Sequence, residues 1–414
     1  MQKHNPFCKL SESWYKSMKD SWKRECIGDI ADLKYGYTEK ALSEGEYRYV
    51  RITDINKSGE LTTNNKKYVA NSEEVKKYVL NDYDLLMART GATFAKVLLF
   101  RNIEPSIYAS YLIKIDFRNL IENKLYWYYS QSSQYWEQAN ILSSGSAQPH
   151  FNGAALKRLY FNYPESISEQ KQIVTILDKA FAAIDQAKAN IEKNIQNAQE
   201  LFQSKLNQIF SQNGDGWEER TLGELGTLTS SKRIFKKEYV NEGIPFYRSK
   251  EIKELGNGRD ISLELFISEE RYREIKSKYG IPEKGDILLT AVGTIGEMYI
   301  VKDNDEFYFK DGNIMWLKNF ETLNSFYLKY ALTNFVEHLK AISRGSAYNA
   351  LTIQKLKAYS IPAPNQNVQE RIVIELDLVQ EKANQLENHY KEKLLNLDEL
   401  KKSILQKAFT GELT

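Results

Sequence analysis

A chain of 414 residues is longer than one ordinary hydrophobic core organises, so length alone argues for two or three domains. With 42% hydrophobic and 27% charged residues it has the make-up of a soluble globular protein, which excludes disordered and fibrous classes, and no apolar run of roughly eighteen residues exists to span a membrane. A net charge of +2, from 57 basic and 55 acidic residues, neither announces nor excludes a nucleic-acid binder, because the two signs can sit on different faces.

In chain order, residues 1–21 form a polar N-terminal arm with no apolar stretch of the secretory kind. Cys8 and Cys26 are the whole cysteine complement, which fits a reducing cytoplasm and leaves no disulfide framework. Residues 22–164 read as a mixed α/β domain: β-rich runs at 97–100 and 113–115 alternate with Gly, Asn and Asp turns, and a helical run lies near 125–140. From 165 to 212 the pattern is helical. Leu177, Ile184, Ile191 and Ala198 recur every seven residues, and Phe181, Ile195, Phe202 and Ile209 fill interleaved positions, with Lys188 as the polar interruption. Such 4-3 spacing predicts a coiled-coil helix. Residues 213–364 form a second mixed domain, with β-rich runs at 298–301 and 314–317 and a helical run at 326–342. A second helix is predicted over 365–410, through Leu376, Val379, Ala383, Leu386, Tyr390, Leu397, Leu400 and Ile404, with Lys393 interrupting. Strand order inside the mixed domains does not follow from the pattern.

The two halves are copies. Trp22 to Ile30 matches Trp217 to Leu225, Tyr49 to Ile55 matches Phe246 to Ile252, and Asp84 to Gly91 matches Asp286 to Gly293. Gly145-Ser-Ala147 matches Gly345-Ser-Ala347, and Gln170 to Asp178 matches Gln369 to Asp377. Five blocks in one order, at offsets between 195 and 202 residues, mark an internal duplication. A single amphipathic helix cannot bury its stripe alone, so the two helices either pair with each other or each packs on its own domain. Pairing is the simpler reading. Because the first helix leads straight into the second domain, it implies antiparallel helices and a seam of about 50 Å at 1.5 Å per residue. Along duplex DNA that is about 15 base pairs.

The polar loops supply the candidate contacts. Arg51, Thr53 and Asp54 follow one β-like run, and Arg248, Ser249 and Lys250 follow its copy. Arg bonds guanine bidentately, and hydroxyls hold phosphate oxygens, although each of these residues is equally readable as ordinary surface polarity. Arg89, Thr90 and Lys96 in the first unit face Thr290 and Thr294 in the second. Ser146, Gln148 and His150 face Arg344, Ser346, Tyr348 and Asn349. A duplicated frame with divergent loops suggests two heads reading different sequences; drift alone would also produce it.

Enzymatic signatures are missing. There is no phosphate-binding G-x-x-x-x-G-K-[ST], and Gly293-Thr-Ile-Gly296 lacks dinucleotide spacing. The four histidines are scattered, with no metal-ligand spacing, and Asn5-Pro6-Phe7 is too short a match to a methyltransferase motif. Gly145-Ser-Ala-Gln-Pro-His-Phe-Asn152, followed by Leu156-Lys157, Pro164 and Gln170-x-x-Ile173, resembles the motif and helix entry of type I restriction-modification specificity subunits. Gly345-Ser-Ala-Tyr-Asn-Ala-Leu-Thr352 with Pro364 and Gln369 is its second copy, departing at Tyr348-Asn349 where the family often has Gln-Pro. The resemblance covers nearly the whole chain. It implies an α+β fold with two mixed α/β target recognition domains separated by two long helices that form an antiparallel coiled coil, a pseudo-twofold repeat. It implies double-stranded DNA as ligand and two modification subunits and restriction subunits as partners. It places S-adenosylmethionine, ATP and magnesium on those partners and no cofactor on this non-catalytic chain. The alternative is a coiled-coil scaffold whose domains bind protein.

Overall fold

The computed structural model describes residues 19, 21–56, 59–101, 103–143, 150–211, 217–303, 305–342 and 351–413. The chain forms two units, Met1–Ile191 with Lys391–Thr414, and Glu192–Tyr390. Each holds one mixed domain and a stretch of both long helices.

The first unit opens with β1 (Trp22–Cys26), α1 (Ile27–Ile30), β2 (Asp32–Tyr35), β3 (Tyr47–Val50), β4 (Tyr68–Val69), β5 (Leu85–Ala88) and β6 (Val97–Leu99). It continues with β7 (Ser106–Tyr108), β8 (Leu112–Asp116), α2 (Asn123–Tyr129), α3 (Ser133–Leu142), α4 (Gly153–Lys157), β9 (Tyr160–Pro164) and the start of α5 (Ile167–Ser211). An antiparallel sheet runs in the order β2-β8-β5-β6, a second in the order β4-β3-β7, and β1 closes on β9 with Trp22 opposite Pro164. All four residues of β5 are buried, because the strand is covered on both faces. Leu85 and Met87 point into the core shared with α2, α3 and the long helices, while Leu86 and Ala88 point into a smaller core with Val50, Phe100 and Tyr108.

The second unit repeats this frame after the remainder of α5. Its elements begin with β10 (Glu218–Thr221), α6 (Leu222–Leu225), β11 (Thr227–Thr229), β12 (Tyr239–Val240), β13 (Ile244–Tyr247), α7 (Ser249–Gly256), β14 (Phe266–Ile267) and α8 (Glu269–Tyr279). They continue with β15 (Ile287–Thr290), β16 (Met298–Ile300), β17 (Tyr308–Phe309), β18 (Ile314–Lys318), α9 (Ser325–Ile342), α10 (Ile353–Lys357), β19 (Ser360–Ala363) and α11 (Gln366–Thr410). The order β11-β18-β15-β16 mirrors the first sheet and β10-β19 mirrors the closing pair. In the third sheet, β12-β14-β13-β17, β14 is the copy of β4 and β12 is the added edge strand, where the first unit has only the bridge of Leu42 to Tyr68.

The repeated motifs are joints of this frame. Gly28 and Gly223 lie where a Cβ would meet Lys157 or Lys357 at 2.9 and 3.2 Å, so a side chain there would push α4 or α10 away. Asn152 and Thr352, the last residues of the two Gly-Ser-Ala blocks, cap those helices by accepting from the backbone N–H groups of Ala155 and Lys355. Gln170 is fully buried; its Oε1 accepts from the Glu122 N–H at 2.7 Å, and its Nε2 donates to the carbonyls of Leu120 and Pro164. Gln369 makes the same three bonds with Asn324, Thr322 and Pro364. Each glutamine pins the start of a long helix to its own domain.

Each long helix is 45 residues, and the two run antiparallel within each unit. In the first, Leu177, Phe181 and Ile184 share a core with Leu405, Ala408 and Phe409, the Lys401 ammonium lies 4.6 Å from the centre of the Phe181 ring, and Lys188 pairs with Asp398. In the second, Leu206, Ile209 and Phe210 pack with Ile372, Val373 and Leu376, Gln199 donates to Glu387 and Lys205 pairs with Glu375 at 2.6 Å. Partner numbers fall as helix numbers rise, which is the antiparallel pairing expected from the stripes. Ile191, Ile195, Phe202, Val379, Leu397 and Ile404 are half-buried along it.

Two seam assignments need correction. Leu386 and Leu400 are 42% and 47% exposed. The inward positions are one residue later, at Glu387 and Lys401. Strict 4-3 spacing from Ala383 through Tyr390, Leu394, Leu397 and Ile404 puts charged residues there, and Leu386 and Leu400 lie about 100° around the helix from that stripe.

Candidate nucleic-acid interface

In the first unit three loops meet. Arg51 opens a 3-10 turn over Ile52–Asp54, where its backbone N–H and guanidinium both donate to Asp54, at 2.9 Å and 2.7 Å. The same guanidinium reaches the Asn65 carbonyl. A second 3-10 turn, Gly91–Thr93, docks on the first through the Thr93 hydroxyl, which donates to the Ile52 carbonyl. The third segment arrives at His150, which bridges Thr90. Thr53 and His150 are exposed and Thr90 is half-exposed, so these three stay available.

Arg89 stands at the centre. Its guanidinium lies 4.8 Å from the centre of the Tyr35 ring and donates to the Ser110 carbonyl at 3.1 Å. Its Nε has no acceptor, and it makes no ion pair among the described residues. A guanidinium placed over an aromatic ring is attracted by the ring's negative face, which fixes where this cation sits. Tyr35 and Tyr111, both exposed beside it, were not singled out in the sequence. The only hint was the surplus of tyrosine, 27 in all.

The second unit uses the same frame with other chemistry. Arg248 caps α7, its N–H and guanidinium donating to Glu251 at 2.8 and 2.7 Å, and it also reaches Glu264 at 2.7 Å. Lys250 donates to the other oxygen of Glu264 at 2.9 Å. Bonds from Lys250 and then Arg248 hold the Glu264 carboxyl down at about 2, and the bonds to Glu251 and Glu264 raise the Arg248 guanidinium further above its ordinary value. The Ser249 hydroxyl is buried without a hydrogen-bond partner. Ala291 takes the place of Arg89: its N–H bonds the Asn313 carbonyl as that of Arg89 bonds Tyr111. Val292, Gly293 and Thr294 are exposed at the tip.

Several sequence candidates are spent internally. Asp54, 2% exposed, is the buried acceptor for Arg51, and Thr290, fully buried, accepts from the Glu297 N–H and donates to the Thr294 carbonyl; neither faces a ligand. Arg51 and Arg248 are held by acidic residues three positions on, which leaves only part of each guanidinium for another partner. Lys96 points elsewhere, into a hollow with Trp136 and Lys401. Ser146, Gln148, Arg344, Ser346, Tyr348 and Asn349 lie outside the described residues. Among the described residues no group of three or more His, Cys, Asp or Glu side chains could hold a metal ion, and no helix is long and apolar enough to cross a membrane.

A family described as the type I restriction modification DNA specificity domain matches residues 19–197 and again 214–396. The EcoBI specificity subunit of Escherichia coli is 24% identical over 96% of this chain and 87% of its own length. A Haemophilus influenzae relative carrying a type I restriction enzyme specificity subunit name is 32% identical over 56% of this chain, and the match spans 59% of that relative. Among solved structures, a chain described under complex assembly and conformational transition of the type I R-M system aligns with a TM-score of 0.75 at 18% identity, over 96% of this chain and 99% of that one. The HsdS subunit of Thermoanaerobacter tengcongensis aligns with a TM-score of 0.61 at 18% identity, over 96% and 98%. The chain therefore belongs to the type I restriction-modification DNA specificity family and carries the family's domain twice, as a specificity subunit with two recognition heads.

Proposed function

We propose that each unit reads one half of a bipartite, asymmetric duplex site, and that the chain directs the chemistry of partner subunits without performing any. The observation that carries this is the contrast between Arg89 on Tyr35 in one unit and Ala291 at the same joint in the other. Identical frames with different donors at one place are what two different half-sites require. In the first unit, Arg89, Thr53, Thr90 and His150 form the reading surface; in the second, Thr294 and the free donors of Arg248 and Lys250 do so. Ser146, Gln148, Arg344, Ser346, Tyr348 and Asn349 remain contacts proposed from sequence.

Two modification subunits would dock on the paired helices, bringing S-adenosylmethionine for adenine methylation, and restriction subunits would bring ATP and magnesium, all in the cytoplasm. Exposed apolar side chains on the outward helix faces, Ile176 in one unit and Ile374 and Leu378 in the other, support docking there. Footprinting of the chain with its modification partner tests the reading: protection should fall in two separated blocks. Scrambling either half should abolish it. One compact block would favour the scaffold alternative or a single working head, and binding indifferent to salt would exclude a DNA interface altogether.

A further inference from the structure

The second unit contains a hollow of about 610 Å³ beside the position where its copy in the first unit carries an indole. Three bonds fix α2 on α9 residue for residue. The side chains of Asn123 and Ser325 donate to the carbonyls of Tyr83 and Gly285. The backbone amides of Glu122 and Asn324 bond Gln170 and Gln369, and Tyr128 and Tyr330 bond Asp178 and Asp377. Trp127 therefore corresponds to Lys329. In the first unit the Trp127 indole reaches across to the glycine loop, its Nε1 donating to the Gly59 carbonyl at 3.4 Å. Gly59 and Gly256 are themselves equivalent, each pressed on a strand carbonyl where a Cβ would meet Val97 or Met298 at 2.7 and 2.1 Å. The space an indole fills in one copy is bounded in the other by Leu255, Tyr299, Val301 and the exposed ring of Phe326.

The rim is basic. Lys284, Lys302 and Lys329 border the hollow against one carboxylate, Asp303, which Lys284 already pairs with. Lys329 makes no ion pair among the described residues, and burial pulls its pKa down, with Asp377 and Glu297 opposing. An incoming carboxylate would favour the charged form of that ammonium.

We propose that this hollow receives an aromatic side chain, flanked by carboxylates, from a partner polypeptide: the ring in the place the repeat gives to Trp127, the acids against Lys302 and Lys329. The site is separate from the loops assigned to DNA, and an indole-sized side chain brings enough apolar surface to anchor a peptide.

The test is fluorescence anisotropy of a labelled Asp-Glu-Trp-Glu-Asp peptide with the full chain. Saturable binding is expected, weakened at least tenfold when the peptide's Trp is replaced by Ala and weakened by added salt. Lys329→Trp, which fills the hollow as the repeat does, should reduce affinity at least tenfold without altering DNA binding. Lys302→Glu, at an exposed position, should lower it without touching the core. Absence of saturable binding, equal binding by wild type and Lys329→Trp, or binding of indole-3-acetate in preference to the peptide would each overturn the proposal.

Discussion

Replacing Gln170 by Met keeps the length of the side chain and removes its amide. Three hydrogen bonds go at once, leaving the Glu122 N–H and the carbonyls of Leu120 and Pro164 without their partner. A buried polar group left unsatisfied costs about 1–3 kcal/mol. The Pro164 carbonyl is bonded in a fully buried setting, whereas the other two are partly buried and can recruit water. Counting those two at the low end gives a total of about 3–5 kcal/mol, a large share of the 5–15 kcal/mol that holds a typical domain together. A chain of two units need not unfold in one step, so the readout is hydrogen exchange across a urea series, followed separately for residues 19–164 and 217–364. The loss should fall on the first unit, and Gln369→Met should transfer an equal loss to the second. A shift below about 1 kcal/mol, or equal destabilisation of both units by Gln170→Met, would refute the idea that these glutamines are the joints of their own domains.

Arg89→Ala should weaken specific DNA binding by about 1–3 kcal/mol and relax selectivity at one base pair, while changing the melting profile little; uniform weakening across sequences would make it a phosphate contact instead. Ile184→Glu places a charge at a buried seam position and should destabilise the first unit by several kcal/mol, about 3–5, whereas Leu400→Glu at an exposed position should stay within about 0.5. Similar losses from both in a melting experiment would contradict the corrected stripe. Glu264 titrates at about 2 in the folded chain, below the ordinary carboxylate value of 4.5, so its contribution is present above that ordinary value and is lost as pH falls through about 2. A carboxyl NMR titration giving a midpoint near 4.5 would show that the Lys250 and Arg248 bonds do not persist in solution.

Legibility followed the physics of each feature. The duplication is readable because five matched blocks recur in one order, Gln170 and Gln369 among their matched positions, and the helices because a buried stripe repeats every seven residues over many turns. Leu386 and Leu400 are apolar but off the spacing, and the seam at those turns is occupied by Glu387, which accepts from Gln199, and Lys401, whose ammonium lies over the Phe181 ring. Arg51 and Arg248 suit DNA contacts by residue type, yet each has an acid three residues on, at Asp54 and Glu251, and that spacing is itself the signature of a turn closing on its own cap. The placement of the Arg89 guanidinium over the Tyr35 ring joins residues 54 positions apart and had no local signal, because only the β2-β8-β5 order brings them together.

The division of the chain also sets an order of assembly. Residues 192–390 are contiguous, so the second unit has its whole core once that stretch has left the ribosome. The first unit does not: Leu405, Ala408 and Phe409 belong to the same core as Trp22, Tyr129 and Leu177. The part made first is thus completed after the second unit, waiting for residues 391–413 with its apolar stripe uncovered. A chain break just after residue 390 would strike the N-terminal head while sparing the one encoded beside the break.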